Sequence, residues 1–376
     1  MARTSALVVG GGVMGLAAGC ALAGRGIDVT VLERHTIGHE WASSHGLSRA
    51  IRHEYGAEAI YTRMVALSLP LWDELARETG MRLYTETGVL TLGQPDDGHT
   101  LPGYDVMRAE GLPVERLTPA ECRARFPQFT PDDYAAITFN PTGGMLHASR
   151  CLLALAQRLR ARGGHIRENA RVARVEGDSQ GGRVTLADGE TLRADRVIVA
   201  AGPWVHDVLP DLRLPVRPTR QQVAYLSGLP EAEFAVGAFP VFLVGMEHYG
   251  FPLHGLGWFK VGSHRFGVTA DPNAGYLADE DELTDVRGFL RRVIPSAAQG
   301  KLELVDRCMY DVSPDEDFIL DRHPASPGVL LGSGFSGHGF KFGPLIGELL
   351  AALALDEPPA VSLDRFRLAR FQARYT

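Results

Sequence analysis

The strongest constraint on this chain lies in its first thirty-three residues. Residues 6–9 are a short apolar run; Gly10-x-Gly12-x-x-Gly15 follows, an alanine- and leucine-rich stretch predicts a helix to about Ala23, and Asp28-Val-Thr-Val-Leu-Glu33 reads as a second strand ending in an acid. Strand, glycine triplet, helix, strand and acid in that order specify a dinucleotide-binding unit. Gly10 permits the tight turn, Gly12 lets a pyrophosphate approach the backbone, and Gly15 lets helix and strand close together, while the helix N-terminus faces the anion. Glu33, twenty-one residues after Gly12, is placed to accept hydrogen bonds from ribose hydroxyls. The fingerprint does not separate NAD from FAD. It occurs once, whereas flavoenzymes that also use NAD(P)H usually carry two. Arg3 followed by apolar residues to Ala23 has the hydropathy of an export signal, but the six glycines between 10 and 24 and the strand that follows argue for the nucleotide unit instead.

A chain of 376 residues, 45% of them hydrophobic, can bury a large core and predicts about two domains. Its net charge of -7 provides no basic field, which argues against nucleic acid and anionic membrane as partners and favours small molecules. No apolar run of spanning length remains once the N-terminal unit is accounted for. The four cysteines, Cys20, Cys122, Cys151 and Cys308, are far apart and form no Cys-x-x-Cys pair, so neither a disulfide framework nor a zinc site is expected, and a cytoplasmic, reducing location is. No metal is expected.

Residues 43–55 gather His45, Arg49, Arg52 and His53 within nine positions. This is either a solvated basic loop or a turn whose two arginines share a face and aim at a carboxylate or a flavin. Residues 59–69 predict a helix stopped by Pro70, with residues 71–79 continuing after the break. From residue 85 short alternating strands take over. Thr118, Pro119 and Glu121 form a capping-box start to a short helix that contains Cys122. A leucine stripe predicts a helix over residues 151–162, with Cys151 in the core, and residues 280–294 predict another, ended by Pro295. Residues 196–204, a buried strand running into Gly202, suggest a return to the first sheet and a nucleotide domain discontinuous in sequence. Lys260 stands in a strand-like apolar setting, where a lysine either snorkels outward or is held inward for a purpose. Near the C-terminus, glycines at 332, 334, 337, 339 and 343 let the backbone come close to a flat or phosphorylated ligand, beside Cys308 and Lys341. A helix starting near Pro344 would add its positive end there.

The order and spacing of SHGLSRAIRHEYG at 44–56, YGFP at 249–252, FKVGSH at 259–264, CMY at 308–310 and GFSGHGFKF at 334–342, together with the N-terminal fingerprint, resemble the monomeric sarcosine oxidase and N-methyltryptophan oxidase family of amine-oxidising flavoproteins over nearly the whole chain. The resemblance implies an α/β fold, α+β overall: a Rossmann-like FAD-binding domain of residues 1–84, 147–219 and 307–376, and a substrate domain of residues 85–146 and 220–306 built on a large, mainly antiparallel sheet. It implies that Cys308 bonds through sulfur to the flavin, although composition alone favours an inert buried thiol. It further implies that Arg52 and Lys341 grip the substrate carboxylate, that Lys260 faces flavin N5 and activates oxygen, and that His45 and Arg49 pack near the flavin ring. Tyr249, His264 and Tyr310 are implied as pocket residues. Beyond Gly10, Gly12, Gly15 and Glu33, the cofactor contacts implied are Val13, Met14, Arg34, Ser44, Arg49, Val172, Ala201, Gly202 and Trp204 from the first two segments, and Gly334, Gly337, His338, Gly339 and Lys341 from the last. Two departures stand out. Leu47 replaces an aspartate usual in the family loop, and residues 241–247, a segment that shapes the side-chain pocket, match poorly.

The expectation is therefore a monomeric, FAD-dependent oxidase of secondary amino acids such as sarcosine or another N-methyl amino acid, which oxidises the amine and reduces O2 to hydrogen peroxide. The alternatives are a dehydrogenase or oxidase of a cyclic or other amine (proline, pipecolate, a glycated amino acid) and a catalytically silent flavoprotein.

Overall fold

A computed structural model of the protein describes residues 4–178, 181–245, 247–275 and 278–372; Arg3, Met246 and the last four residues lie outside them. The N-terminal unit forms as its pattern requires. Strand Ser5–Val9 leads into helix Val13–Gly24, and Asp28–Leu32 returns parallel to the first strand, with Ala6 opposite Val29. The helix is buried on nearly every face, which explains why its sequence is apolar all round. Helix Gly343–Leu355 crosses it at Gly347, where an added Cβ would lie 2.5 Å from the Ala17 backbone.

Strand Arg196–Val199 does return to this sheet, pairing in parallel with Ser5–Val9. The complete six-stranded order is Ile319–His323, Ser326–Ser333, Arg196–Val199, Ser5–Val9, Asp28–Leu32 and His165–Arg167, parallel throughout except for the first pair. Distant thirds of the chain are thus woven into one sheet.

A second, eight-stranded sheet runs in the order Lys301–Val312, Arg217–Ser227, Trp258–Ser263, His248–His254, Val241–Val244, Val89–Gly93, Ala136–Asn140 and Glu115–Leu117. All its pairings are antiparallel except Val241–Val244 with Val89–Gly93. One face packs a phenylalanine-rich core, including Phe239, Phe242, Phe259 and Phe289, under helix Glu280–Val293. Residues 219 and 307, the expected domain boundaries, fall inside Arg217–Ser227 and Lys301–Val312, so those strands carry the chain continuously across them.

Two local expectations are corrected. Ala59–Thr79 is one continuous helix with Pro70 inside it. Pro70 is solvent-exposed, so the carbonyl it deprives of a partner at Ala66 can be solvated, while buried Met64, Val65, Trp72 and Leu75 hold both halves to the core. Arg49–Ile51 is a short strand, not a turn, because it pairs with Gly144–Leu146; Arg49 and Arg52 consequently make separate sets of contacts. The capping box on Pro119–Arg125 is present, with Thr118 and Glu121 bonding reciprocally. Cys20, Cys122 and Cys151 are buried, and Cys308 is half-buried. Among the described residues, no helix is long and apolar enough to cross a membrane.

Candidate active site

The glycine turn works by excluding side chains. Gly10 has φ +109°, and a Cβ there would lie 2.3 Å from the Ala200 carbonyl oxygen; one on Gly15 would lie 1.9 Å from the Gly10 carbonyl oxygen. The turn is therefore flush with the strand ends, and the amides at the helix start face a cleft. Ser44 Oγ accepts from Val13 N at 3.1 Å, and Glu33 Oε2 accepts from Gly11 N at 2.7 Å. Burial works to raise the Glu33 pKa, but hydrogen bonds from His39, His35 N and Gly11 N outweigh it and hold the carboxylate below its usual range.

From this turn a cleft with about 1140 Å³ of atom-free space, part of it open to solvent, runs to Cys308. Of the residues expected to hold the cofactor, Gly10, Gly12, Val13, Met14, Glu33, Arg34, Ser44, Arg49, Val172, Ala201, Gly202, Trp204, Cys308, Gly337 and Gly339 line it. Gly15, Gly334, His338 and Lys341 do not. Gly15 is packed under the turn, and Gly334 lies behind the wall, where its amide donates to buried Asp311 at 2.7 Å. His338 and Lys341 face a second cavity. The lining that runs from the glycine turn to Cys308, the helix N-terminus at one end, the Glu33 carboxylate and the glycine wall where a Cβ on Gly337 would strike the Tyr310 ring at 2.2 Å together fit FAD.

The second cavity, with about 820 Å³ of atom-free space, part of it open to solvent, meets the first at Arg49, Cys308, Tyr310, Gly337 and Phe340, which line both. It is built on the open face of the eight-stranded sheet. Side chains two apart on a strand share a face, and directly paired residues lie side by side. The register sets Tyr225 against Lys260 and Lys260 against Phe251, and Gly262 against both Val223 and Tyr249. Asp306, Cys308 and Tyr310 follow on the neighbouring strand, Cys308 opposite Gln221. Phe259 points the other way, into the phenylalanine core.

Lys260 is 2% exposed and held inward: Nζ donates to Ser48 O at 2.9 Å and lies 4.9 Å from the Phe251 ring centroid. Burial, reinforced by Arg49, lowers its pKa to about 7. Arg49 donates to Ser43 O, Ser48 O and His45 O, and its Nη2 is 3.8 Å from Cys308 Sγ. His45 bonds Gly38 O and lies 3.8 Å from Asp306. Burial, with Arg52 and Lys341 adding to it, pushes His264 down to about 4, so it is neutral near pH 7. Burial also raises the Tyr249 and Tyr310 hydroxyls above their ordinary range.

At the far end sit two more buried cations, Arg52 (6% exposed) and Lys341 (4%). Lys341 Nζ donates to Tyr55 Oη at 2.7 Å and His338 O at 2.8 Å. Burial first, and Arg52 next, depress its pKa well below the usual lysine value. Among the described residues, no acceptor reaches Arg52 Nη1. Two buried basic groups and an unmet donor are chemically suited to accept an anion such as a carboxylate. Val223, Val241, Leu243 and Phe251 give it an apolar wall, and Arg307 lines it beside Asp306.

Several residues of the site escaped sequence reasoning. Tyr225 and Asp306 reach the cavity through strand register, which is non-local; their only local signal is the two-residue spacing of Asp306 from Cys308. Asn273 accepts from Arg34 at 3.1 Å and Trp204 at 2.9 Å beside the nucleotide cleft, from a loop without a recognisable pattern. His39 pairs with Glu33 at 3.3 Å.

Comparison with known proteins agrees with this geometry. The family described as FAD dependent oxidoreductase (DAO) matches residues 5–353. N-methyl-L-tryptophan oxidase of Yersinia pestis (strain Pestoides F) is 36% identical over 377 residues, covering 97% of this chain and 99% of its own. The open form of NikD, an unusual amino acid oxidase essential for nikkomycin biosynthesis, aligns with a TM-score of 0.82 at 27% identity, over 97% of this chain and 98% of that one. L-proline dehydrogenase from P. horikoshii gives a TM-score of 0.87 at 21% identity over 99% and 98% of the two chains, a likeness of fold alone.

Proposed function

Because this chain belongs to the family of FAD-dependent oxidoreductases, and is an FAD-dependent amino acid oxidase within it, we propose that its substrates are secondary amino acids, N-methyl amino acids with an apolar side chain foremost, and that O2 is reduced to hydrogen peroxide. The observation that carries this reading is the meeting of the two cavities: a nucleotide cleft ends at Cys308 where a pocket with two buried cations begins. Bound FAD supplies a two-electron acceptor for the amine and a route for those electrons to oxygen.

The chain's own residues hold and orient. Gly10, Gly12 and Val13 present the helix end to the pyrophosphate, Glu33 takes the ribose, and Arg34 and Trp204 cover the adenosine end. Cys308 anchors the ring through sulfur, with Arg49 fixed beside it by three carbonyls. Arg52 forks onto the substrate carboxylate and Lys341 adds a point charge, so the amine end points back toward Cys308. Val223, Val241, Leu243 and Phe251 receive the side chain; their extent favours a residue larger than glycine, which argues for an N-methyl amino acid other than sarcosine. Neutral His264 and the un-ionised Tyr249 and Tyr310 supply hydrogen-bonding groups without adding charge. Lys260, held inward at the shared wall, places a positive charge where reduced oxygen species gain negative charge. The product imine is hydrolysed in water. We take the protein to act as a monomer. We take the six-stranded and eight-stranded sheets as the centres of the cofactor and substrate units.

Acid precipitation tests the anchor. Colour should stay with the pellet; flavin in the supernatant would defeat the bond to Cys308. A screen of N-methyl, cyclic and glycated amines for peroxide should favour apolar N-methyl amino acids. Turnover with an artificial acceptor but none with O2 would favour the dehydrogenase reading.

A further inference from the structure

Tyr55 lines neither cavity, yet it touches both cations of the anion receptor. Its ring lies 4.8 Å from the Arg52 guanidinium carbon, and its hydroxyl oxygen accepts from Lys341 Nζ at 2.7 Å. The hydroxyl also lies 3.3 Å from His338 Nδ1, while His338 Nε2 lies 3.1 Å from Glu316 O. A carbonyl can only accept, so Nε2 carries the proton, and Nδ1 of the neutral ring is an acceptor. Burial, and then Lys341, keep His338 neutral. The Tyr55 proton therefore points at His338, which leaves an oxygen lone pair for Lys341. From behind, Tyr55 stacks on Tyr61 at 5.1 Å, and Tyr61 donates to Asp317 at 2.7 Å. The tyrosine is thus locked in rotation and in position.

We infer that Tyr55 is a positioning residue for the substrate carboxylate: its π face holds Arg52, its oxygen holds Lys341, and by drawing in both it fixes the spacing of two cations that would otherwise repel. The ring face attracts a guanidinium and the lone pair an ammonium, so a single side chain serves both without contacting substrate. This rests on reading Arg52 and Lys341 as the carboxylate grip.

The test is titration of the flavin-loaded protein with acetate and with uncharged acetamide, followed by the flavin absorbance. The wild type should bind acetate well and acetamide poorly. Tyr55→Phe removes the acceptor for Lys341 and should raise the acetate Kd about tenfold. Tyr55→Leu also removes the ring beside Arg52 and should raise it about a hundredfold. Acetamide binding should be the same in all three, a pattern that a merely structural role would not produce. Acetate bound by Tyr55→Phe as tightly as by wild type, or both ligands weakened in parallel, would overturn the inference. A wild type that does not prefer acetate would remove the carboxylate grip, and this inference with it. Should Tyr55→Leu fail to fold, the Phe variant alone decides.

Discussion

The two cavities are made in opposite ways. The nucleotide cleft is shaped by missing side chains: Gly10, Gly15 and Gly337 each stand where a Cβ would come within 2.3 Å of another atom. The second cavity is shaped by side chains held against their preference, with Arg49, Arg52, Lys260 and Lys341 all drawn to a buried wall and two of them depressed in pKa by burial. On the proposed assignment, the first cavity depends on close backbone approaches, some between distant segments such as Gly10 and Ala200, and the second on charged side chains held inward by strand register. Substitutions in the first region should act on flavin content and folding, those in the second on ligand affinity and reaction rate.

The largest effect should come from Gly15→Ala. A Cβ facing a carbonyl oxygen at 1.9 Å cannot be absorbed by a flexible side chain. We expect a loss of about 3 kcal/mol or more and colourless protein, read by thermal melting and flavin absorbance. Normal flavin content would show that the close approach at Gly15 is not needed for FAD binding.

Arg52→Met should lower kcat/KM for an amino acid about a thousandfold, since it leaves Lys341 alone against the carboxylate, with flavin content unchanged. Lys260→Met should slow reoxidation of the reduced enzyme by oxygen about a hundredfold and spare anaerobic reduction, as stopped-flow absorbance would report. Lys260 is charged below its depressed pKa of about 7 and neutral above it, so oxygen reactivity should be highest on the acid side and fall as pH rises through 7. Glu33→Gln keeps the shape and loses the charge, and should weaken FAD binding about tenfold when measured on a Cys308→Ser background. Smallest of all, Thr118→Ala removes a capping box remote from both cavities. It should cost about 1 kcal/mol in melting and nothing in activity, which sets the baseline for the others.

The same contrast decides what could be read from the sequence. Residues 5–33 carry their whole instruction locally, and strand, turn, helix and acid stand where the spacing puts them. The capping box at Thr118 was equally legible. Pro70 misled because the cost of a proline depends on whether the carbonyl it orphans can be solvated, a tertiary property. The turn expected around Arg49 is a strand because its pairing partner, Gly144–Leu146, lies some ninety residues away. Lys260 could be seen as unusual, but not as buried: its inward face follows from register with Tyr225 and Phe251. Tyr55, three residues after Arg52, carries no local signal, because its contact with Lys341 exists only once residues far apart in the chain are folded together.

In the proposed reaction the substrate is held by its carboxylate in the second cavity while the flavin lies in the first. The most direct measurement mixes the yellow protein, without oxygen, with an apolar N-methyl amino acid and, separately, with the same amine lacking the carboxylate. The flavin should be bleached rapidly by the acid alone, and its colour should return with formation of hydrogen peroxide when oxygen is admitted. Equal bleaching by both amines, or by neither, would contradict the proposed reaction.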